Sequence, residues 1–564
     1  MSNTIIKKED TFNNIYKRNT TETNILKHQR IMSKMLALLW FVMMSLQLAA
    51  QSPTYRQSVA DGITVVKILK KTSKAAVNPM IYGQMLEDCN DNVVYGGVVN
   101  NAGEENPKVI ELLRPLNIPV MRWPAGTAIY DYDWRRGIGP KEKRTPIHEK
   151  VWGGTEYYTF GTDEFLSWCK KIGTEPYINI CMGNSAVRDV TLDDAVDWVE
   201  YVNGASTTPM GALRAANGHA EPYGVRLWCL GNENYLRAII HKEETAEQYS
   251  DMLARWSKRL KETDPNLSLL GVGHVSTWNE EVLTRAGNEL DYLTLHYYLT
   301  SQVKDGELLS PEKTLFASAR VEENLKVNIP LLKSYNEKSG RKKNPLRFSI
   351  DEWNNRHKVW GGDRYSFTRK DDRRMYDVAC TATMLNVFLR NSPHVAMANY
   401  IFPVNGHGLL KTVGECDAYK SSSYHVFDLY RRYMAGSTLS IDVSGPGKNG
   451  IRLSETNVEG DNEKSVDDMV CNLCYIDCAA TSTDKGKTIC VALVNRSYTE
   501  QQTVSLQLPG RYKAAEAWAV EADDVKAANS REERDKVKAE RIDVVGHQVT
   551  IKPCGLIIIK FTKQ

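Results

Sequence analysis

Neither sign of charge predominates in this chain: 72 basic residues stand against 69 acidic ones, a formal net charge of +3. Such a balance leaves no electrostatic footprint for nucleic acid or an anionic membrane and suits a neutral substrate. Long apolar runs are nearly missing as well. The exception, Leu36 to Ala50, follows Lys34 and ends in Leu48-Ala49-Ala50-Gln51, the charged, apolar, small-residue order of a secretory signal peptide. It is shorter than the ~20 residues of a spanning helix and carries Gln47 near its end. Residues 1–50 are therefore set aside as a signal peptide, with cleavage near Ala50, plus a polar upstream extension in which Met32 or Met35 is an alternative start. The mature protein is expected to be secreted or periplasmic, with no membrane attachment.

A disulfide framework is also lacking. Eleven cysteines is an odd number, so at least one thiol stays free unless it pairs between chains. Cys471, Cys474 and Cys478 have no fourth ligand at zinc-like spacing and read as buried strand cysteines, so no metal is expected. No GxGxxG or GxxxxGK loop follows the first apolar run, which argues against a dinucleotide site, and no cofactor is expected.

What the chain does contain is enough apolar residues, 42%, for one large catalytic domain and a smaller companion. From Asn78 to about Val404, short apolar runs ending in polar or Gly-rich residues alternate with helical stretches. Eight such runs are present: Ile81 to Leu86, Pro119 to Trp123, Pro176 to Cys181, Val225 to Leu230, Leu267 to Val272, Tyr292 to Tyr298, Arg347 to Trp353 and Val395 to Phe402. Between them, Thr245 to Thr263 places Tyr249, Met252, Leu253, Trp256 and Leu260 at helical spacing behind a Thr245 cap. The alternation points to an α/β fold, a parallel (β/α)8 TIM barrel over 78–436 or a doubly wound sheet. After Tyr424 to Met434 the pattern changes to short alternating strands, read as a C-terminal β-sandwich over 437–564. The segment 51–77, with the strand-like run Ile63 to Leu69, is expected to join that sandwich. The charged tract Glu521 to Arg541 reads as a solvated insertion or surface helix.

In a parallel barrel the site lies at the C-terminal ends of the strands, so the residues that finish each run carry the information. Two runs finish in a glutamate: one leads into Gly231-Asn232-Glu233, the other into Asp351-Glu352-Trp353. These runs are the fourth and the seventh, which lie across a barrel mouth from each other. Two carboxyl groups on opposite sides of one bond are what glycosidic cleavage requires. A single glutamate at such a place is more simply a solvated loop residue or an ion-pair partner; the two together shift the reading to a glycosidase.

Trp228-Cys229-Leu230-Gly231-Asn232-Glu233, Asp291-Tyr292-Leu293-Thr294-Leu295-His296-Tyr297-Tyr298 and Asp351-Glu352-Trp353-Asn354 closely resemble the signatures of the α-L-arabinofuranosidases of glycoside hydrolase family 51, in clan A. Ile81-Tyr82-Gly83-Gln84-Met85-Leu86-Glu87, Tyr95-Gly96-Gly97, Tyr132-Asp133-Trp134 and Gly137-Ile138-Gly139-Pro140 match as well, so the resemblance runs from about residue 60 to the C-terminus. It implies release of terminal α-L-arabinofuranosyl residues from arabinose-containing glycans by a retaining double displacement. Glu233 is then the acid/base and Glu352 the nucleophile. The resemblance also implies that His296 lies near the carboxylates, Tyr298 near the nucleophile, and Glu87 on sugar hydroxyls. Arg122 is expected to ion-pair beneath the nucleophile and Asn232 to donate to the sugar 2-hydroxyl. Trp134 is either a platform for a sugar ring or a core residue.

Two positions depart from the family pattern. Where the family reads Pro-Gly-Gly-Asn, this chain has Pro124-Ala125-Gly126-Thr127, and where a Gln precedes Val-Asn it has Phe402 in Tyr400-Ile401-Phe402-Pro403-Val404-Asn405. Both changes concern the sugar pocket, with Asn399 and Asn405 the nearest amides to stand in. The alternatives are a same-clan glycosidase acting on another sugar, of the β-glucan or xylan type, and a non-catalytic carbohydrate-binding protein. Homo-oligomerisation stays open.

Overall fold

A computed structural model describes residues 54–88, 91–236, 243–454, 458–467 and 469–564. The signal-peptide expectation lies outside them. Each of the eight apolar runs holds one strand of a closed parallel barrel: β1 (Gly83–Met85), β2 (Val120–Trp123), β3 (Glu175–Ile180), β4 (Leu227–Leu230), β5 (Ser268–Val272), β6 (Tyr292–Lys304), β7 (Arg347–Trp360) and β8 (Val395–Ile401). Neighbours in sequence pair in parallel, and β8 pairs with β1 to close the ring. Helices follow the strands, as at Ala246–Thr263. There Thr245 and Gln248 form a reciprocal capping box, and Tyr249, Leu253, Trp256 and Leu260 are buried against the barrel. No described helix is long and apolar enough to cross a membrane.

Strand periodicity divides the barrel interior into layers. Val120, Tyr177, Leu227, Cys229, Leu270 and Met397 form an apolar cluster of their own, separate from the core beneath the helices. Two residues further along three of those strands, on the same face, stand Arg122, Asn179 and Asn399, all buried. An apolar floor thus supports a polar layer, and the polar layer supports the barrel mouth.

Ten further strands form a second, mostly antiparallel sheet. Strands from its two ends, carrying Ala517 and Ala519 at one and Val549 and Ile551 at the other, share a single core, so the sheet folds over itself. The early strand Thr64–Ala76 lies inside this sheet, antiparallel to Ser437–Gly445 and parallel to Gln502–Gln507. Cys471, Cys474 and Cys478 are free thiols on the strands Val470–Cys474 and Ile476–Thr483. The tract 521–541 forms no helix; it is an irregular strap that buries Ala527, Asn529 and Val537 and ends in the edge strand Ala539–Arg541. Its alternating charges are spent on ion pairs such as Arg534 to Asp417, 2.6 Å, and Lys526 to Glu307, 2.7 Å.

The sheet is fixed to the barrel through the helix Met375–Arg390, every residue of which is buried. A helix buried on all sides needs partners on all sides, and it has them in β7, β8 and the sheet strands. At its end the Arg390 guanidinium lies 3.1 Å from Asp477 on the sheet and 2.9 Å from Glu322 on the barrel side. Removing one partner of a buried network leaves the others desolvated and unpaired, at a cost of about 3–5 kcal/mol. Arg390→Met is therefore expected to lower unfolding free energy by about that amount in urea titrations, with barrel-mouth chemistry unchanged below the transition.

Candidate active site

The polar layer is organised around Arg122. Its Nε lies 3.0 Å from Asp351 Oδ2, its Nη1 donates to Glu352 Oε1 at 2.7 Å, and its Nη2 donates to Asn232 Oδ1 at 2.7 Å. Asp351 is the foundation of this arrangement: Tyr177, Ser349 and Asn399 also donate to it, at 2.7, 2.8 and 3.1 Å. Asp351 and Glu352 are consecutive, so a regular strand would send them to opposite faces. Here the pairing of β6 with β7 shifts from Leu295 opposite Ile350 to His296 opposite Glu352. Asp351 is the extra residue of a β-bulge, the device by which a strand re-aims a side chain, and both carboxylates thereby reach the Arg122 guanidinium.

Glu233 arrives from the other side. It follows β4 after Gly231, and its own backbone is left-handed, φ +46°, a conformation that costs roughly 1–2 kcal/mol for a residue with a side chain. Its Oε1 faces His296 Nδ1 at 2.9 Å, and the same nitrogen lies 3.7 Å from Glu352 Oε2. A carboxylate oxygen of Glu233 and one of Glu352 lie within 4.8 Å of each other. Tyr298 Oη donates to Glu352 Oε2, and Thr127 Oγ1 lies 3.5 Å from Glu233 Oε2.

Burial alone would raise the Glu352 pKa, but His296, Arg122 and the Tyr298 hydroxyl override it and hold the carboxyl at about 2. Burial likewise opposes charge on His296, yet Glu352 and Glu233 raise its pKa to about 9, so at neutral pH it is an imidazolium. Glu87, buried and exposed to the field of Glu352, is pushed up to about 7. With His296 and Arg122 both cationic beside them, the Glu233 and Glu352 carboxylates are poor ligands for a metal ion.

The groups meet in a cavity of about 550 Å³ that opens at the barrel mouth, a size suited to a small ligand. Glu87, Thr127, Glu233, Tyr298, Glu352 and Phe402 all line it. Glu87 Oε1 accepts from the Gly126 amide at 2.9 Å and from Trp152 Nε1 at 3.2 Å. Asn232 keeps a buried amide nitrogen with no protein partner, at the edge of the carboxylate pair. Gly126 has no room for a side chain, since a Cβ there would stand 2.6 Å from Glu352 Oε1.

One expected site residue is not in the site. Trp134 is 2% exposed and stacks on Trp198 at 5.7 Å with rings 2° from parallel, so it is a core residue and offers no sugar platform. Asn399 is committed to Asp351, while Asn405 donates to Asn92 O and Thr412 Oγ1 in the loop after β8, so neither stands in for the missing amide. Conversely, Trp152, Tyr235, Arg356, Phe367 and Arg369 line the cavity without a sequence signal strong enough to single them out. Arg356 and Phe367 are there because β6 and β7 run on past the barrel to Lys304 and Trp360 and a hairpin strand, Tyr365–Thr368, returns along β7. Glu459 and Gly460 come from the C-terminal sequence: Val458–Gly460 pairs with Tyr297–Leu299 of β6, and Asp461 then accepts from the His296 backbone N–H.

Residues 112–315 match the α-L-arabinofuranosidase 1 domain, and residues 351–554 match the α-L-arabinofuranosidase C-terminal domain. A probable α-L-arabinofuranosidase C of Aspergillus niger is 32% identical over 475 residues, 80% of this chain and 88% of that one. The chain belongs to the α-L-arabinofuranosidases of glycoside hydrolase family 51. An intracellular exo-α-(1→5)-L-arabinofuranosidase 1 of Bacillus subtilis is 26% identical over 518 residues, 86% of this chain and 97% of that one. The family 51 α-L-arabinofuranosidase of Thermotoga petrophila superposes with a TM-score of 0.72 at 26% identity, covering 88% of this chain and 99% of that one. As a family 51 arabinofuranosidase the chain is a glycosidase.

The charge balance of the pair can be tested through His296. Without the imidazolium, one of the groups that offset burial at Glu352 is gone and its pKa rises. Any role of Glu352 that needs its negative charge is then lost at higher pH, so His296→Gln is expected to move the acid limb of the kcat/KM–pH profile toward neutral pH and to lower kcat at the optimum. An unchanged acid limb would contradict the electrostatic role.

Proposed function

We propose that this enzyme releases terminal α-L-arabinofuranosyl residues from arabinose-containing glycans with retention of configuration, Glu352 acting as nucleophile and Glu233 as acid/base. The observation that carries this reading is the approach of the two carboxylates to within 4.8 Å, with His296 bridging them. Retaining glycosidases hold their carboxyl groups about 5–5.5 Å apart, whereas inverting ones need about 6.5–9.5 Å to admit a water.

In the first step Glu352, ionised and aimed by Arg122 and Tyr298, attacks the anomeric carbon while Glu233 gives its proton to the leaving oxygen. Oε1 of Glu233 is engaged by His296, so Oε2 is the oxygen that carries the proton. The covalent intermediate cancels the charge on Glu352, and Glu233, now a carboxylate, takes a proton from water as that water attacks. The free Asn232 amide suits the sugar 2-hydroxyl, a contact that strengthens in the transition state. Glu87, Gly126 and Trp152 form the other wall. Export to the cell exterior rests on the Lys34 to Gln51 run alone.

Proton NMR of the first product formed is expected to show the retained anomer, and a mechanism-based fluorosugar should label Glu352. Glu352→Ala should lose activity on every substrate by several orders of magnitude. Glu233→Ala should lose roughly 10²–10⁴-fold on substrates with poor leaving groups and much less on activated aryl glycosides. Equal losses on both, or a label elsewhere, would refute the assignment.

The pocket departures also persist in three dimensions. Thr127 and Phe402 both line the cavity; Asn399 and Asn405 are engaged elsewhere, and the amide of Asn354, which also lines the cavity, donates to the Ile401 carbonyl. Weaker selectivity for arabinofuranosides follows, because a sugar hydroxyl loses its amide partners. Thr127→Asn is expected to raise kcat/KM on aryl α-L-arabinofuranoside by roughly 2–10-fold, the worth of one hydrogen bond. A decrease would show that the pocket is tuned to this sugar by other contacts.

A further inference from the structure

The loop after β8 carries a buried group, itself on the wall of the cavity, to which the proposed reaction assigns no role. His407 is 2% exposed, and its Nε2 has no hydrogen-bond partner in the protein. An unpaired buried nitrogen is unfavourable, so its surroundings need an account. Across from it stand His357, on the extension of β7, and Asp371, just beyond the hairpin strand Tyr365–Thr368. One nitrogen of each histidine and one oxygen of Asp371 lie within 4.8 Å of one another. His357 Nδ1 is 3.2 Å from Asp371 Oδ2, and the two imidazole centres are 4.9 Å apart with their planes at 53°.

These distances match a ligand set. Two imidazoles bound to one tetrahedral ion through nitrogens at about 2.0–2.1 Å place their ring centres about 5 Å apart. The far nitrogen of His357 lies 2.9 Å from Asp377 Oδ1, the carboxylate–histidine arrangement found behind metal-bound imidazoles. Of the cations nearby, Arg373 and Arg369 are held in ion pairs, Arg369 with Asp91 at 3.0 Å, while Lys411 rests on neutral carbonyl oxygens. Arg373, which also approaches His357 Nε2 at 3.1 Å, pairs with Asp377 at 3.1 Å, and Lys411 donates to the carbonyl oxygens of Gly406 and Asp371. Two imidazoles and one carboxylate suit zinc rather than calcium or magnesium, which prefer oxygen alone.

We propose that His357, Asp371 and His407 bind one divalent ion of the zinc type, with water in the fourth position. The ion joins the chain beyond β7, which carries Phe367 and Arg369, to the loop after β8, which follows Phe402. Both segments form one wall of the sugar cavity. Its role is positional: it holds that wall and takes no part in bond cleavage.

The test uses the untagged enzyme, dialysed against a chelator and titrated with Zn²⁺ by calorimetry and with Co²⁺ by visible absorption. One ion per chain, a tetrahedral Co²⁺ spectrum and a Zn²⁺-dependent rise in Tm are expected. His407→Gln and Asp371→Asn should each abolish all three, with circular dichroism unchanged, while Glu352→Gln should bind as the wild type does. Asp371 is partly exposed, so its variant provides the test even if the His407 variant folds poorly. The proposal fails if the wild type takes up no ion, if both ligand variants bind normally, or if Glu352→Gln abolishes uptake.

Discussion

The contact on which the site depends is the buried Arg122 guanidinium with its three acceptors, Asp351, Glu352 and Asn232. A guanidinium is planar, always charged and forked, so it fixes direction as well as charge. Arg122 sets the place of Glu352 from β7 and of Asn232, the residue preceding Glu233, after β4. Buried as it is, the cation requires Asp351 beneath it, and Asp351 in turn explains the tyrosine, serine and asparagine that surround it. The polar layer of the barrel is therefore one connected structure resting on an apolar floor.

The carboxylates draw on that structure unequally. Glu352 has a guanidinium, an imidazolium and a phenol around it, and stays ionised despite burial. Glu233 shares only the imidazolium and stands on a left-handed turn at the rim. This asymmetry separates a permanent anion from a group that must gain and lose a proton within one catalytic cycle. His296 links the two, so its charge is felt by both, and Asp461 holds its backbone from a segment that begins beyond the barrel.

That segment shows that the second domain does more than stabilise the first. Residues 458–461 leave the sheet to pair with β6, and Gly460 approaches His296 so closely that a Cβ there would stand 2.2 Å from its carbonyl oxygen. The helix Met375–Arg390 binds the two parts from the other side through Arg390. The cavity is assembled from both parts of the chain.

The eight barrel strands and the two glutamates were legible in the sequence, because strand runs, helix periodicity and the polar residue ending each run are local properties. Arg122, His296 and Tyr298 sit at fixed steps along single strands, but their place beside the carboxylates was implied by the family resemblance and not by local pattern. Other features came only from the tertiary structure. The bulge at Asp351 depends on the register between two strands distant in sequence. Trp134 went to the core because Trp198 lies against it, and local pattern does not distinguish a stacked indole from a sugar platform. Phe367 reaches the cavity on a local hairpin, but Arg356 and Glu459 reach it through a strand extension and a crossing segment whose partners lie tens to more than a hundred residues away. The order of residues settled which groups can react; distance, burial and register settled which of them meet.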